Sequence, residues 1–179
     1  VKDLKFVAGR RGKAVQLKTG VSVNFIGQLF GKGEGTMAFW VRPVGWKGED
    51  GKYHWFANLY AKTSGYMFYK YGAGGQVIMY NTGRGRKSIT LGQNHVWDKF
   101  APGKWTHLAF TFRPGEQVYY IDGVPMQKHL KPELLIEPTF DGGKATVNLA
   151  EGHPANAIDD VMTFRRSLTP EEVRGLFGT

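Results

Sequence analysis

The sequence predicts an all-β protein: a two-sheet antiparallel β-sandwich or jelly roll with one short C-terminal helix. Three observations carry that prediction. About ten short runs are rich in β-branched and aromatic residues or alternate apolar with polar ones. Glycine is abundant, at 25 residues, and aromatics make up 14%, which suits short strands joined by tight turns. Helical spacing is convincing only at the end of the chain.

The strands follow in order. "AVQLK" and "VSVNF" come first, and "GTMAFWVRP" ends at Pro43. "YHWFANLY", "GYMFYKYG" and "QVIMYNT" form a run of three, separated by Ser-Gly and Gly-Gly segments that signal hairpins. A polar stretch leads to "KWTHLAFTFR" and "QVYYIDG", and "ATVNLA" and "AIDDVMTFRR" complete the set. In "SLTPEEVRGLFG", Thr169 is the expected N-cap, Pro170 the first helical residue and Glu172 the partner in a capping box. Val173, Leu176 and Phe177 fall on one side, and Gly178 is expected to close a helix that seals one edge of the core.

The chain has 179 residues, with 41% hydrophobic and 22% charged residues, and shows no linker, repeat or low-complexity block. One domain over residues 1–179 is expected. With no cysteine, disulfides, thiolate metal sites and cysteine nucleophiles are excluded. No run is long and apolar enough to span a membrane. The start, "VKDLKF", reads as that of a mature fragment or an excised domain. The net charge of +9 favours solubility and draws anionic partners, with acidic polysaccharide ahead of nucleic acid.

"GKWTHLAFTFRPGEQVYYIDGVP" carries the residue types of an active site, yet each has a structural reading. Asp122-Gly123 suits a type I′ turn. His107 reads as a histidine hydrogen-bonded within the sheet. Asp159 and Asp160 are adjacent on a strand, so they point to opposite faces unless the strand bulges. Either one is a candidate Ca²⁺ ligand, and no other cofactor is required.

The middle strands and loops are the better place for function. Alternation in "YHWFANLY", "YMFYKY" and "QVIMYN" allows His54, Asn58, Tyr60, Lys70 and Tyr80 to share a solvent-facing side of a sheet. Sugar binding uses that mixture: aromatic faces pack on the C–H faces of sugar rings, and amides or charges bond the hydroxyls. The same aromatics also suit a sandwich interior. The loop "NTGRGRKSITLGQNHVWDKF" adds Arg84, Arg86 and Trp97, and "VGWKGEDGK" adds Trp46. Arginine binds carboxylate or sulfate in a fork, and tryptophan offers a stacking plane.

Four segments resemble the laminin G-like (LamG-like jelly roll) domains of the concanavalin A-like lectin/glucanase group. "GRRGKAVQLKTGVSVNF" is similar to the family's opening, with Gly12, Ala14 and Leu17 in place. "GTMAFWVRP" resembles its strand ending in Trp, a hydrophobic residue, a basic residue and Pro. "GKWTHLAFTF…QVYYIDGVP" resembles its central hairpin through Trp105, His107, Tyr120, Asp122 and Gly123. "NAIDDVMTFRRSLTPEEVRGL" resembles its closing strand and helix through Ile158, Asp159, Leu168, Glu172 and Leu176.

The resemblance implies a non-catalytic carbohydrate-binding module, excised from a larger secreted protein, extracellular or on a bacterial cell surface. Its expected partners are a polysaccharide, with the charge adding an anionic one to the candidates, and a neighbouring catalytic domain in the same chain. Structural calcium also occurs in this fold group. The alternatives are a protein-binding adhesion module and a polysaccharide-degrading enzyme of the same fold. The glucanase pattern Glu-x-Asp-x-x-Glu, which supplies paired carboxylates, is absent. Tyr69, Lys70 and Gln76 echo the alginate-lyase strands only loosely, without their Arg and His partner motifs. Nucleic-acid binding has no supporting motif beyond the charge and a short Gly-Arg run.

Overall fold

The computed structural model describes residues 4–17, 23–60, 64–70, 72, 77–83, 88–93, 97–129, 144–149 and 156–179. Among these are thirteen strands, one 3₁₀ turn at Trp97–Phe100 and one helix, α1, at Pro170–Gly178. Seven strands form one sheet. In sheet order they are β1 (Lys5–Ala8), β2 (Lys13–Leu17), β13 (Asn156–Phe164), β4 (Gly35–Pro43), β9 (Thr106–Arg113), β10 (Glu116–Ile121) and β11 (Val124–His129). The other sheet runs β3 (Val23–Gln28), β12 (Lys144–Leu149), β5 (His54–Tyr60), β6 (Ser64–Lys70), β7 (Val77–Gly83) and β8 (Ser88–Gln93). All pairings are antiparallel, and β8 meets β10 and β11 across the layers. The two-sheet sandwich is the architecture the sequence predicts.

The core forms where the inner faces meet. Met37, Phe39 and Val41 of β4 and Leu108, Phe110 and Phe112 of β9 pack against Phe56 and Leu59 of β5 and Tyr66 and Phe68 of β6. Each fully buried phenylalanine stabilises the fold by about 2 kcal/mol relative to an exposed one. β4 and β9 are buried on both faces. Their outward residues, Ala38, Trp40, His107 and Ala109 among them, need a second cover.

Helix α1 is that cover. Its N-terminus has the predicted capping box: Thr169 accepts from the Glu172 N–H, and the Glu172 carboxylate accepts from the Thr169 N–H. Val173 and Leu176 pack with Ala38, Ala109 and Tyr120, while the Phe177 ring stacks on Trp40 at 5.6 Å. The helix therefore covers a sheet face, where an edge seal was expected, because the outward face of β4 and β9 carries Ala38, Trp40 and Ala109. Gly178 is its last helical residue, and Thr179 is the C-cap.

The Asp122-Gly123 turn forms as expected. Ile121 pairs with Val124, and both turn residues have positive φ, 51° and 73°. A side chain at Gly123 would meet the Phe177 Cβ at 3.1 Å and the Arg174 Cα at 3.2 Å, so the turn also needs glycine to pass beneath α1.

Strands β1, β8 and β11 are additions to the predicted set. β11 carries Pro125 as its second residue with a register shift just after it, and β8 lies in a stretch that reads as a polar loop. No helix among the described residues is long and apolar enough to cross a membrane.

Candidate functional site

The segment after β4 holds the candidate site. Pro43 ends that strand, and Gly45 and Gly51, with φ of 76° and 70°, let the chain fold back before β5. Trp46 turns inward and is only 6% exposed. Its indole N–H donates to Asn156 Oδ1 at 3.0 Å, and the Asn156 amide donates to the Trp55 carbonyl at 2.8 Å. Its ring lies flat on His54, at 3.6 Å and 7°, and stacks more loosely on Phe56 and Phe100. The Gly48 N–H donates to the Phe100 carbonyl, which ties this loop to the 3₁₀ turn.

Asp50 is the knot. Its Oδ1 accepts from Lys70 Nζ at 2.7 Å and from the Lys52 N–H at 3.0 Å, and its Oδ2 lies 2.6 Å from His54 Nε2. Lys70 also donates to the Lys52 carbonyl at 3.1 Å. Burial raises the Asp50 pKa, but the hydrogen bonds from Lys70, Lys52 and His54 outweigh it and leave the carboxyl below its ordinary value. Burial lowers the His54 pKa, and the attraction of Asp50 recovers only part of that shift, so His54 favours the neutral form. Gly72 closes the arrangement: a Cβ there would stand 2.6 Å from the Gly51 carbonyl oxygen.

Beside this knot opens a cleft of 530 Å³, lined by Trp46, Asp50, Lys52, Tyr53 and His54 together with Gly45 and Gly51. Tyr53, 46% exposed, stands at its margin. Its ring stacks on Tyr69 at 6.1 Å and 26°, and Tyr69 meets Trp55 at 4.7 Å and 31°. Three rings thus continue from the cleft onto the outer face of the six-stranded sheet. A smaller cavity of 240 Å³ lies on the other side of the sandwich, between Tyr120, Leu168 and Pro170, and holds none of the predicted residues.

The structure brings Trp46, His54 and Lys70 together but corrects their expected orientation. His54 and Lys70 are fully buried, and Trp46 nearly so. Tyr53, just before β5, and Trp55 begin the outward set. The register against β6 then jumps between Trp55 and Ala57. Inward residues are therefore His54 and Phe56 before the bulge, and Ala57 and Leu59 after it. Asn58 falls on the outer side by that phase, opposite Met67, yet it is 4% exposed and not solvent-facing. Tyr60 pairs with Gly65, Tyr80 pairs with Met67, and Trp97 begins the 3₁₀ turn; for these three the description is of the backbone. Arg84 and Arg86 lie outside the described residues.

β13 does bulge at Asp159 and Asp160, where Asp160 has a φ of 45°. Asp159 accepts from the N–H groups of Arg10 and Asp160, at 2.8 and 3.0 Å, which gives it a role in holding the β1–β2 turn. No group of three or more His, Asp or Glu among the described residues could hold a metal ion. His107 also departs from expectation. Neither ring nitrogen has a hydrogen-bond partner among the described residues; the ring packs against both Trp40 and Phe177.

Sequence reasoning missed Asp50, Tyr53, Trp55 and Tyr69 as site residues. The signal for Asp50 was the turn sequence "GEDGK", an Asx-turn former placed just before a strand. The three rings were missed because strict alternation was carried through a bulge. Chemically, the cleft is built to hold and stack. Asp50 is the single carboxylate among its described lining residues, and both of its oxygens are engaged, whereas glycoside cleavage uses two carboxyl groups across the bond.

A family model described as the concanavalin A-like lectin/glucanases superfamily matches residues 15–174. No curated protein matches the chain. Among solved structures, the chain is similar to domain 4 of AbnA, an extracellular GH43 arabinanase from Geobacillus stearothermophilus, in complex with arabinotriose. That likeness has a TM-score of 0.75 and 21% identity, over 98% of this chain and 82% of that one. The binding domain of Paraclostridial Mosquitocidal Protein 1 has a TM-score of 0.74 at 20% identity, and the receptor-binding domain of botulinum neurotoxin D 0.73 at 17%. Each is matched over 98% of this chain, which spans 45% and 48% of theirs. At these identities the likeness is one of fold.

Proposed function

This chain belongs to the concanavalin A-like lectin/glucanases superfamily, and we propose that it is a non-catalytic carbohydrate-binding module recognising a polysaccharide. The observation that carries the reading is the 530 Å³ cleft floored by the Trp46–His54 stack and continued by the Tyr53, Tyr69 and Trp55 rings. Such a surface packs on the C–H faces of sugar rings, while Lys52 and the backbone of the 45–52 loop offer hydrogen bonds to hydroxyls. The arabinotriose complex of the similar arabinanase domain supports a glycan as ligand. The module is a single domain, excised from a larger secreted protein and working outside the cell or at its surface beside a catalytic domain. This is an analogy with the multidomain neighbours.

The test is affinity gel electrophoresis against neutral, uronic-acid and sulfated polysaccharides, with parallel reducing-sugar and unsaturated-product assays. Retardation in at least one gel without product is expected. Product formation would make the chain an enzyme. Absence of retardation in every gel would move it to a protein-binding adhesion module.

A further inference from the structure

We propose that the Tyr53–Tyr69–Trp55 shelf is a subsite for an internal stretch of an uncharged, linear polysaccharide, and that stacking selects the ligand there rather than the chain's positive charge. The inference rests on the carbohydrate-binding reading above and narrows it to one surface and one ligand class.

Ring geometry gives the shape. The centroids step 6.1 Å from Tyr53 to Tyr69 and 4.7 Å from Tyr69 to Trp55, with tilts of 26° and 31° between neighbours. At these separations neighbouring rings overlap in offset stacks, so the run offers a sugar the uncovered part of each ring, that of Tyr53, 46% exposed, most of all. Tyr53 joins the run to the cleft, so a chain on the shelf has one end directed into the cleft and the other continuing over the sheet. A run open along the sheet face suits the middle of a polymer.

Charge gives the class. The whole chain carries +9, yet the described lining of the cleft holds one acidic and one basic side chain, Asp50 and Lys52, and Lys70 behind it is spent on Asp50 at 2.7 Å.

Titration calorimetry of the whole chain with xylohexaose, cellohexaose, arabinohexaose and hexagalacturonate tests the proposal. One of the neutral hexamers is expected to bind, with an affinity that changes less than about twofold between roughly 50 and 500 mM NaCl. Tyr53→Ala, at an exposed position, is expected to weaken that binding about tenfold, the effect of one lost stacked ring, while Tyr53→Phe preserves it. Binding by a neutral hexamer that Tyr53→Ala and Tyr69→Ala leave unchanged would overturn this subsite and leave the carbohydrate-binding reading standing. So would binding by hexagalacturonate alone, weakened by salt. A chain that binds none of these hexamers and no polysaccharide in the gels would sink both.

Discussion

Each sheet of the sandwich holds a fully buried histidine against a tryptophan, and the two pairs are built for different ends. His107 of β9 lies 5.0 Å from Trp40 and 6.2 Å from Phe177, with the Arg10 guanidinium 3.9 Å over the Trp40 ring. Helix α1 closes that side. Asp122 accepts from the backbone N–H of His107 at 3.0 Å, but the imidazole has no hydrogen-bond partner among the described residues. His54 of β5 lies flat on Trp46, and its Nε2 is tied to Asp50, which is tied in turn to Lys70. A buried tryptophan–histidine contact is thus no mark of a site by itself. The mark is the carboxylate knot that fixes a loop beside an open cleft, and the first pair has no counterpart to it.

The largest effect is expected from breaking the knot. Asp50→Ala leaves the Lys70 ammonium buried without its partner, which costs about 4 kcal/mol. Denaturant unfolding should show that loss. The double variant Asp50→Ala/Lys70→Met removes both charges and should regain most of it, because the buried cation is gone. If the double variant were as unstable as the single one, the contribution of Asp50 would lie in the loop turn at Lys52 rather than in the ion pair.

Acid separates the two histidines next. Burial first, and Arg10 to a lesser degree, push the His107 pKa down from 6.5 to about 4, against the pull of Asp122. A lowered pKa means that the fold holds the neutral ring. The stability it contributes is complete above 6.5 and is lost as pH falls toward 4, a loss of up to about 3 kcal/mol. His107→Phe keeps the ring contacts with Trp40 and Phe177, removes the titration and should flatten the dependence of stability on pH over that window. His54 is shifted the same way, but Asp50 offsets part of the shift, so His54→Phe should change the slope less.

The frame was legible because its signals are local and redundant. The capping box at Thr169 and Glu172 and the Asp-Gly turn at 122–123 each rest on a few adjacent residues whose chemistry has few alternatives. Trp46, His54 and Lys70 were legible as a group that the fold brings together, but not in their orientation. The bulge at Trp55–Ala57 is an insertion in register that no residue type announces, and it reverses which of the later residues face inward. The burial of Lys70 depended on a carboxylate twenty positions away, a pairing that strand alternation does not contain. Asp159 shows the same limit: its acceptor role toward Arg10 spans 149 positions.

A smaller change sharpens the comparison from the cleft side. Gly72→Ala sets a methyl 2.6 Å from the Gly51 carbonyl oxygen, and neither backbone yields cheaply. A loss of about 2 kcal/mol is expected, with weaker binding of the neutral hexamer in calorimetry, because the 50–52 turn carries Asp50. Unchanged binding in a folded Gly72→Ala protein would show that the cleft tolerates movement of that turn.

The smallest effect comes from the helix that distinguishes the His107 pair. Thr169→Ala removes the oxygen that accepts from the Glu172 N–H, at 3.3 Å, and should cost about 1 kcal/mol. Glu172 keeps its fork with Arg166, at 2.6 and 2.7 Å, so the first turn loosens without detaching. The helix lies over the seven-stranded sheet and the aromatic shelf lies on the other, so glycan affinity should not move. The imidazole should report the change instead. With Phe177 held less firmly over it, His107 gains access to water, and the midpoint of its NMR titration should rise from about 4 toward 6.5. A midpoint that stays in place while the melting temperature falls would mean that Trp40 and Arg10 bury His107 without help from the first turn of the helix. The cover over that pair would then be the β1–β2 turn, held by Asp159, rather than α1.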